Sequence, residues 1–69
     1  MADFTISLKA ARVNAEMSTA EVAQNTGFSE SAIRSWETGR HKVAYENLLI
    51  LAKEYRCPVA LIRTPNSSQ

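Results

Sequence analysis

The chain has one cysteine, two glycines and two prolines among 69 residues, and almost no excess of either charge. Each scarcity excludes something. Cys57 has no second cysteine to bond and no histidine at ligand spacing, so it can anchor neither an intramolecular disulfide nor a zinc site. A reducing, cytoplasmic setting is expected. Few Gly and Pro beside 45% hydrophobic and 22% charged residues exclude the disordered and fibrous classes. No run approaches the roughly eighteen apolar residues of a membrane span. The start, Met1-Ala-Asp-Phe-Thr-Ile-Ser-Leu-Lys9, lacks the basic and apolar regions of an export signal. Neither export nor membrane insertion is expected. Eight Lys and Arg against seven Asp and Glu leave a net charge of +1, so the overall balance does not announce a polyanion-binding surface. A chain this short buries only about 60% of its unfolded surface, which allows one compact core and excludes two domains.

What is present is helical periodicity punctuated by caps. Leu8, Ala11, Arg12 and Ala15 recur at i, i+3, i+4, i+7, one face of a first helix lying between Thr5 and Ala15. Arg12 puts a charge on that apolar face and needs a partner there. Ser18-Thr-Ala-Glu21 is a capping box that starts a second helix, with Met17 positioned to staple onto Val22. Gly27 ends that helix. Ser29 caps a third helix, with Glu30 at the positive end of its dipole, and this helix runs to Thr38 before Gly39. Leu48, Leu51, Ala52 and Tyr55 repeat the helical spacing along a fourth. Pro58 suits the first turn of a last short helix, Val59-Ala-Leu-Ile62. The expectation is five helices and no strand, ending near Arg63, followed by a polar, disordered tail over residues 64–69.

Residues 19–38 have the grammar of a helix-turn-helix. Ala23 is small where two helices cross, Gly27 sits in the turn, Val22 and Ile33 face inward, and Trp36 closes the wedge. The free face of the second helix of the motif carries Ser29, Glu30, Ser31, Arg34, Ser35 and Thr38, short or polar side chains suited to base edges and phosphates.

From Leu8 to Ile62 the sequence resembles the Cro and phage-repressor helix-turn-helix DNA-binding family, also called the xenobiotic-response-element type. The resemblance rests on Leu8-Lys-Ala-Ala-Arg12, Ser18-Thr-Ala-Glu-Val-Ala23, Gly27-Phe-Ser29, Ile33-Arg-Ser-Trp-Glu37-Thr-Gly39-Arg40 and Leu48 through Ala52. It implies an all-α, compact five-helix domain of lambda-repressor type over residues 1–63. It also implies that Arg12 pairs with Glu37 beneath the motif, which would satisfy the arginine on the apolar face.

The resemblance further assigns the surface that meets DNA. Thr19 stands where the family commonly has a glutamine that bonds a phosphate and braces the recognition helix. A threonine still bonds phosphate but reaches less far. Glu30, Ser31 and Ser35 match base-reading positions. For Glu30 three roles are open: accepting from a cytosine amino group, disfavouring non-cognate DNA, or serving the helix dipole alone. Arg34 reaches a phosphate or the O6/N7 edge of guanine, unless it is simply a solvated charge. Arg40, His41 and Lys42 follow the motif where the family lays a loop on the sugar-phosphate backbone. His41 would make that contact pH-sensitive, unless it is only exposed.

Three departures from the family pattern matter. Val43-Ala44 replace the usual Pro-Ser, so the fourth helix lacks a side-chain cap. Arg56 stands where a residue tolerant of positive φ is usual. Val59-Ala-Leu-Ile62 is apolar on all sides, which suits a partner. Because the matching surface in phage repressors lies near the two-fold axis, the resemblance implies that Leu61, with Val59 or Ile62, lies in a homodimer contact, the alternative being that residues 64–69 fold back over it.

These readings lead to a Cro-like repressor that binds a roughly palindromic DNA operator as a homodimer. Its half-sites would be about 34 Å apart, and no cofactor or metal is expected. No self-cleaving or effector-binding domain is expected within a chain this short. The alternative is an antitoxin-type module that binds a toxin partner and represses its own operon. An enzyme is not expected, since no nucleophilic triad, Cys/His pair or phosphate-cradling loop is legible. Because Arg34, Arg40 and Lys42 gather on one face, the low net charge predicts weak non-specific affinity and a shallow salt slope.

Overall fold

The computed structural model describes residues 5–64. Four α-helices, α1 (Leu8–Asn14), α2 (Thr19–Thr26), α3 (Glu30–Thr38) and α4 (Tyr45–Tyr55), are followed by one 3₁₀ turn, Val59–Leu61. Two short strands, β1 (Ile6–Ser7) and β2 (Ile62–Arg63), bracket them.

Local chemistry sets most of the helix ends. Ser7 Oγ accepts from the Ala10 amide at 3.1 Å and starts α1. The capping box of α2 is complete, with the Glu21 amide donating to Ser18 Oγ at 3.1 Å and the Ser18 amide donating to Glu21 Oε1 at 3.4 Å. Met17, just ahead of it, packs against the core cluster that contains Val22. Ser29 Oγ accepts from the Ala32 amide at 3.0 Å at the start of α3. Gly27 and Gly39 close α2 and α3 with φ of 87° and 83°, left-handed conformations that a Cβ would strain. The fourth helix starts at Ala44 with no side-chain cap and ends at Arg56 with φ 55°.

The core is made by Leu8, Ala11, Val22, Ile33, Leu51, Ala52, Tyr55 and Ile62. These residues come from every α-helix and from β2, so the core welds the two-helix motif to its supports. Phe28, Leu48 and Trp36 pack around it.

The expectation of five helices and no strand is corrected. Pro58 has an extended ψ of 133°, and residues 59–61 form a single 3₁₀ turn, closed by the Leu61 amide donating to Pro58 O at 2.9 Å. Ile62 then runs extended and pairs with Ile6 in a parallel register, Ser7 with Arg63. Arg63 Nη1 donates to Thr5 Oγ1 at 2.8 Å along the same seam. Strands two residues long have no alternation to read, so periodicity could not reveal them. Thr64 is half-buried and partnered; the remainder of the expected tail, residues 65–69, lies outside the described residues.

Candidate nucleic-acid interface

The platform beneath α3 is ionic and aromatic. Arg12 Nε donates to Glu37 Oε2 at 2.7 Å and Arg12 Nη2 to Glu37 Oε1 at 3.2 Å, a two-pronged pair. The third nitrogen, Nη1, donates to the Met17 carbonyl at 2.9 Å. Both side chains are largely buried, at 13% and 7% exposed. Donating hydrogen bonds to Glu37 raises the Arg12 pKa despite the opposing effect of burial. Phe28 and Trp36 meet edge to face with ring centroids 5.1 Å apart, packing the turn of the motif against α3. Within the turn, Thr26 Oγ1 donates to Val22 O at 2.7 Å and accepts from the Phe28 amide at 3.2 Å.

Tyr55 lies under this platform. Its hydroxyl is buried and has no hydrogen-bond partner among the described residues. Burial first, then the negative charge of Glu37, pushes its pKa up to about 12.

The residues proposed for DNA contact divide into groups. Ser31, Arg34, Ser35, Thr38 and Arg40 line one groove on the outer face of α3. Thr38 Oγ1 donates back to the Arg34 carbonyl at 3.0 Å, so its proton is used within the helix. The Ser29 hydroxyl accepts the capping bond and keeps its proton. The Arg40 and His41 amides both donate to the Ser35 carbonyl, at 2.9 and 3.3 Å, which folds the loop start against the end of α3. Lys42 is exposed beyond them and does not line that groove.

Thr19 and Glu30 come together with Arg34. Glu30 Oε1 accepts from Thr19 Oγ1 at 3.0 Å and from Arg34 Nη2 at 2.9 Å. Glu30 therefore serves more than the helix dipole. A second cleft, where α1, the start of α2 and α3 meet, is lined by Lys9, Thr19, Arg34, Glu37 and Thr38 among others. Sequence reasoning missed Lys9 here. Its position three residues before Arg12, on a neighbouring part of the same helix surface, was the available signal.

The proposed dimer residues are not brought together on the surface. Ile62 is only 8% exposed and belongs to the core, and Val59 is half-buried against it. Leu61 alone is exposed, at 42%. The 3₁₀ turn and the strand that follows direct two of the three side chains inward, so the segment is not an apolar helix with every side free.

No group of His, Cys, Asp and Glu among the described residues can hold a metal ion, and no helix there is long and apolar enough to cross a membrane.

A helix-turn-helix domain model matches residues 3–64, nearly the whole chain. The chain belongs to the helix-turn-helix domain family. This agrees with the resemblance traced from Leu8 to Ile62, and at the level of class it makes this helix-turn-helix protein a DNA-binding one. No curated protein and no solved structure matches the chain.

Proposed function

We propose that this helix-turn-helix protein is a sequence-specific transcriptional repressor of the Cro type, which occupies a roughly palindromic operator as a homodimer with α3 in the major groove. It acts by binding and catalyses nothing. The observation that carries the reading is the outer groove of α3, where Ser31, Arg34 and Ser35 stand beside Arg40 at the end of a helix anchored from below by the Arg12–Glu37 pair. Short hydroxyls and one long guanidinium suit base edges, and the basic loop suits phosphates. Occlusion of RNA polymerase is the simplest mechanism for a domain of this size.

Selection of bound duplexes from a random library, followed by footprinting, tests this. The expected product is a two-fold symmetric site with half-sites about one helical turn apart. Failure to enrich any duplex at low salt overturns the reading, because phosphate contacts strengthen as salt falls. For the homodimer, Leu61 remains the exposed candidate. Leu61→Glu is expected to lower the sedimenting mass, and an unchanged mass removes Leu61 from the interface.

A second reading, the antitoxin-type module, draws on the exposed Tyr45, Leu49 and Ile50 of α4. Large apolar side chains in solvent suit a protein partner. Co-purification of a distinct small protein at fixed stoichiometry favours this reading over the simple repressor.

A further inference from the structure

Three side chains close a polar triangle between the start of α2 and the first turns of α3. Glu30 Oε1 accepts from Thr19 Oγ1 and from Arg34 Nη2, and that same Nη2 lies 3.3 Å from Thr19 Oγ1. Thr19 has a single hydroxyl proton, and it is directed to Glu30. While the triangle stands, Thr19 cannot donate to a phosphate. Arg34 is the one cation of α3, its side chain is 63% exposed, and its Nε and Nη1 have no partner among the described residues.

An exposed i,i+4 ion pair contributes only about 0.2–0.5 kcal/mol to a helix, so stability gives little reason for the triangle. Its consequence falls on what Arg34 can reach. A free arginine on a recognition helix swings to any phosphate nearby, a contact that carries no sequence information. Here a phosphate meets a like charge either way: the Glu30 carboxylate beside the guanidinium while the pair stands, or an unpaired carboxylate facing the DNA backbone once Arg34 leaves it. The edge of guanine asks for less. Its O6 and N7 are neutral acceptors that the remaining guanidinium hydrogens can meet while Nη2 stays on Glu30.

We propose that Glu30 is a positioning residue for recognition: its carboxylate, braced by Thr19, holds Arg34 over the base-reading face of α3 and keeps it from sequence-blind phosphate contact. This rests on the DNA-binding reading above. The triangle thereby trades affinity for discrimination.

The test compares the parent, Glu30→Ala, Arg34→Ala and the double variant on the selected duplex and on a scrambled duplex over a salt series. Glu30→Ala is expected to bind the scrambled duplex several-fold more tightly, and its log–log salt slope is expected to steepen by about 0.9, the signature of one added phosphate contact. In the Arg34→Ala background the same substitution leaves the slope unchanged. An equal change in both backgrounds overturns the proposal, since the carboxylate would then act on DNA by repulsion alone. A preference lost at one base pair with no change in slope also overturns it, because Glu30 would then be reading that base itself. If the parent binds no duplex at low salt, the DNA-binding reading falls first and this proposal falls with it.

Discussion

Arg12 and Glu37, 25 positions apart, join the first helix to the end of the recognition helix through hydrogen bonds of 2.7 and 3.2 Å. With Nη1 on the Met17 carbonyl, every nitrogen of the guanidinium is engaged. The pair thus ties together α1, the turn that leads into α2, and α3. On the proposed function, rigid presentation of α3 rests on this pair, since a helix that rocks cannot hold several side chains in register with base edges.

Glu37→Ala leaves a mostly buried guanidinium without its counter-charge, and the expected loss of stability is about 3–5 kcal/mol, measured by urea or thermal unfolding. Replacing both partners with Arg12→Met and Glu37→Leu is expected to cost much less than Glu37→Ala, because no orphaned charge remains. An unfolding midpoint unchanged by Glu37→Ala contradicts the role given to the pair.

The Tyr55 phenol stays neutral in the fold up to about pH 12, whereas in the unfolded chain it ionises near its ordinary value of about 10. Between those values the unfolded state releases a proton that the native state keeps, so stability is full below about pH 10 and falls as pH rises toward 12. Tyr55→Phe removes this contribution, and its melting temperature should decline less steeply over that interval. At neutral pH the same variant should be as stable as the parent or slightly more so, since the buried hydroxyl has no hydrogen bond to lose.

Helix α4 is open to improvement at both ends. Ala44 already has the φ of −68° and ψ of 147° of an N-cap but no side chain to accept a bond. Ala44→Ser is expected to stabilise by about 1 kcal/mol. Arg56, at φ 55°, is in the left-handed region, and Arg56→Gly should add about 0.5–1 kcal/mol. Thermal unfolding of the two variants and their combination checks both, and the gains should add because the sites lie at opposite ends of the helix.

The parts of this molecule that depend on neighbours in the chain were legible in residue order. Ser18 with Glu21, Gly27, Ser29 and Gly39 mark helix ends through bonds and conformations reaching at most a few residues, and the stripe Leu48, Leu51, Ala52, Tyr55 turns to the core as its spacing demands. Of the candidate face read from the order of residues, Ser31, Arg34, Ser35 and Thr38 line one groove together with Arg40, while Glu30 turns to Thr19 and Arg34. Resemblance pointed to the Arg12–Glu37 pair; spacing could not, because nothing local links the two.

The scarcity of glycine, proline and cysteine, the caps and the helical spacing determined by themselves that this chain is a small bundle of helices carrying a helix-turn-helix. Only the tertiary structure decided that Ile62 closes the core as a strand beside Ile6, which leaves it little exposed surface. It also decided that Thr19 and Glu30 claim Arg34 in a shared set of hydrogen bonds. Such pairings depend on how separate helices are brought together, and that is set by the packing of the whole core. A count of charges summing to +1 is silent on where those charges meet.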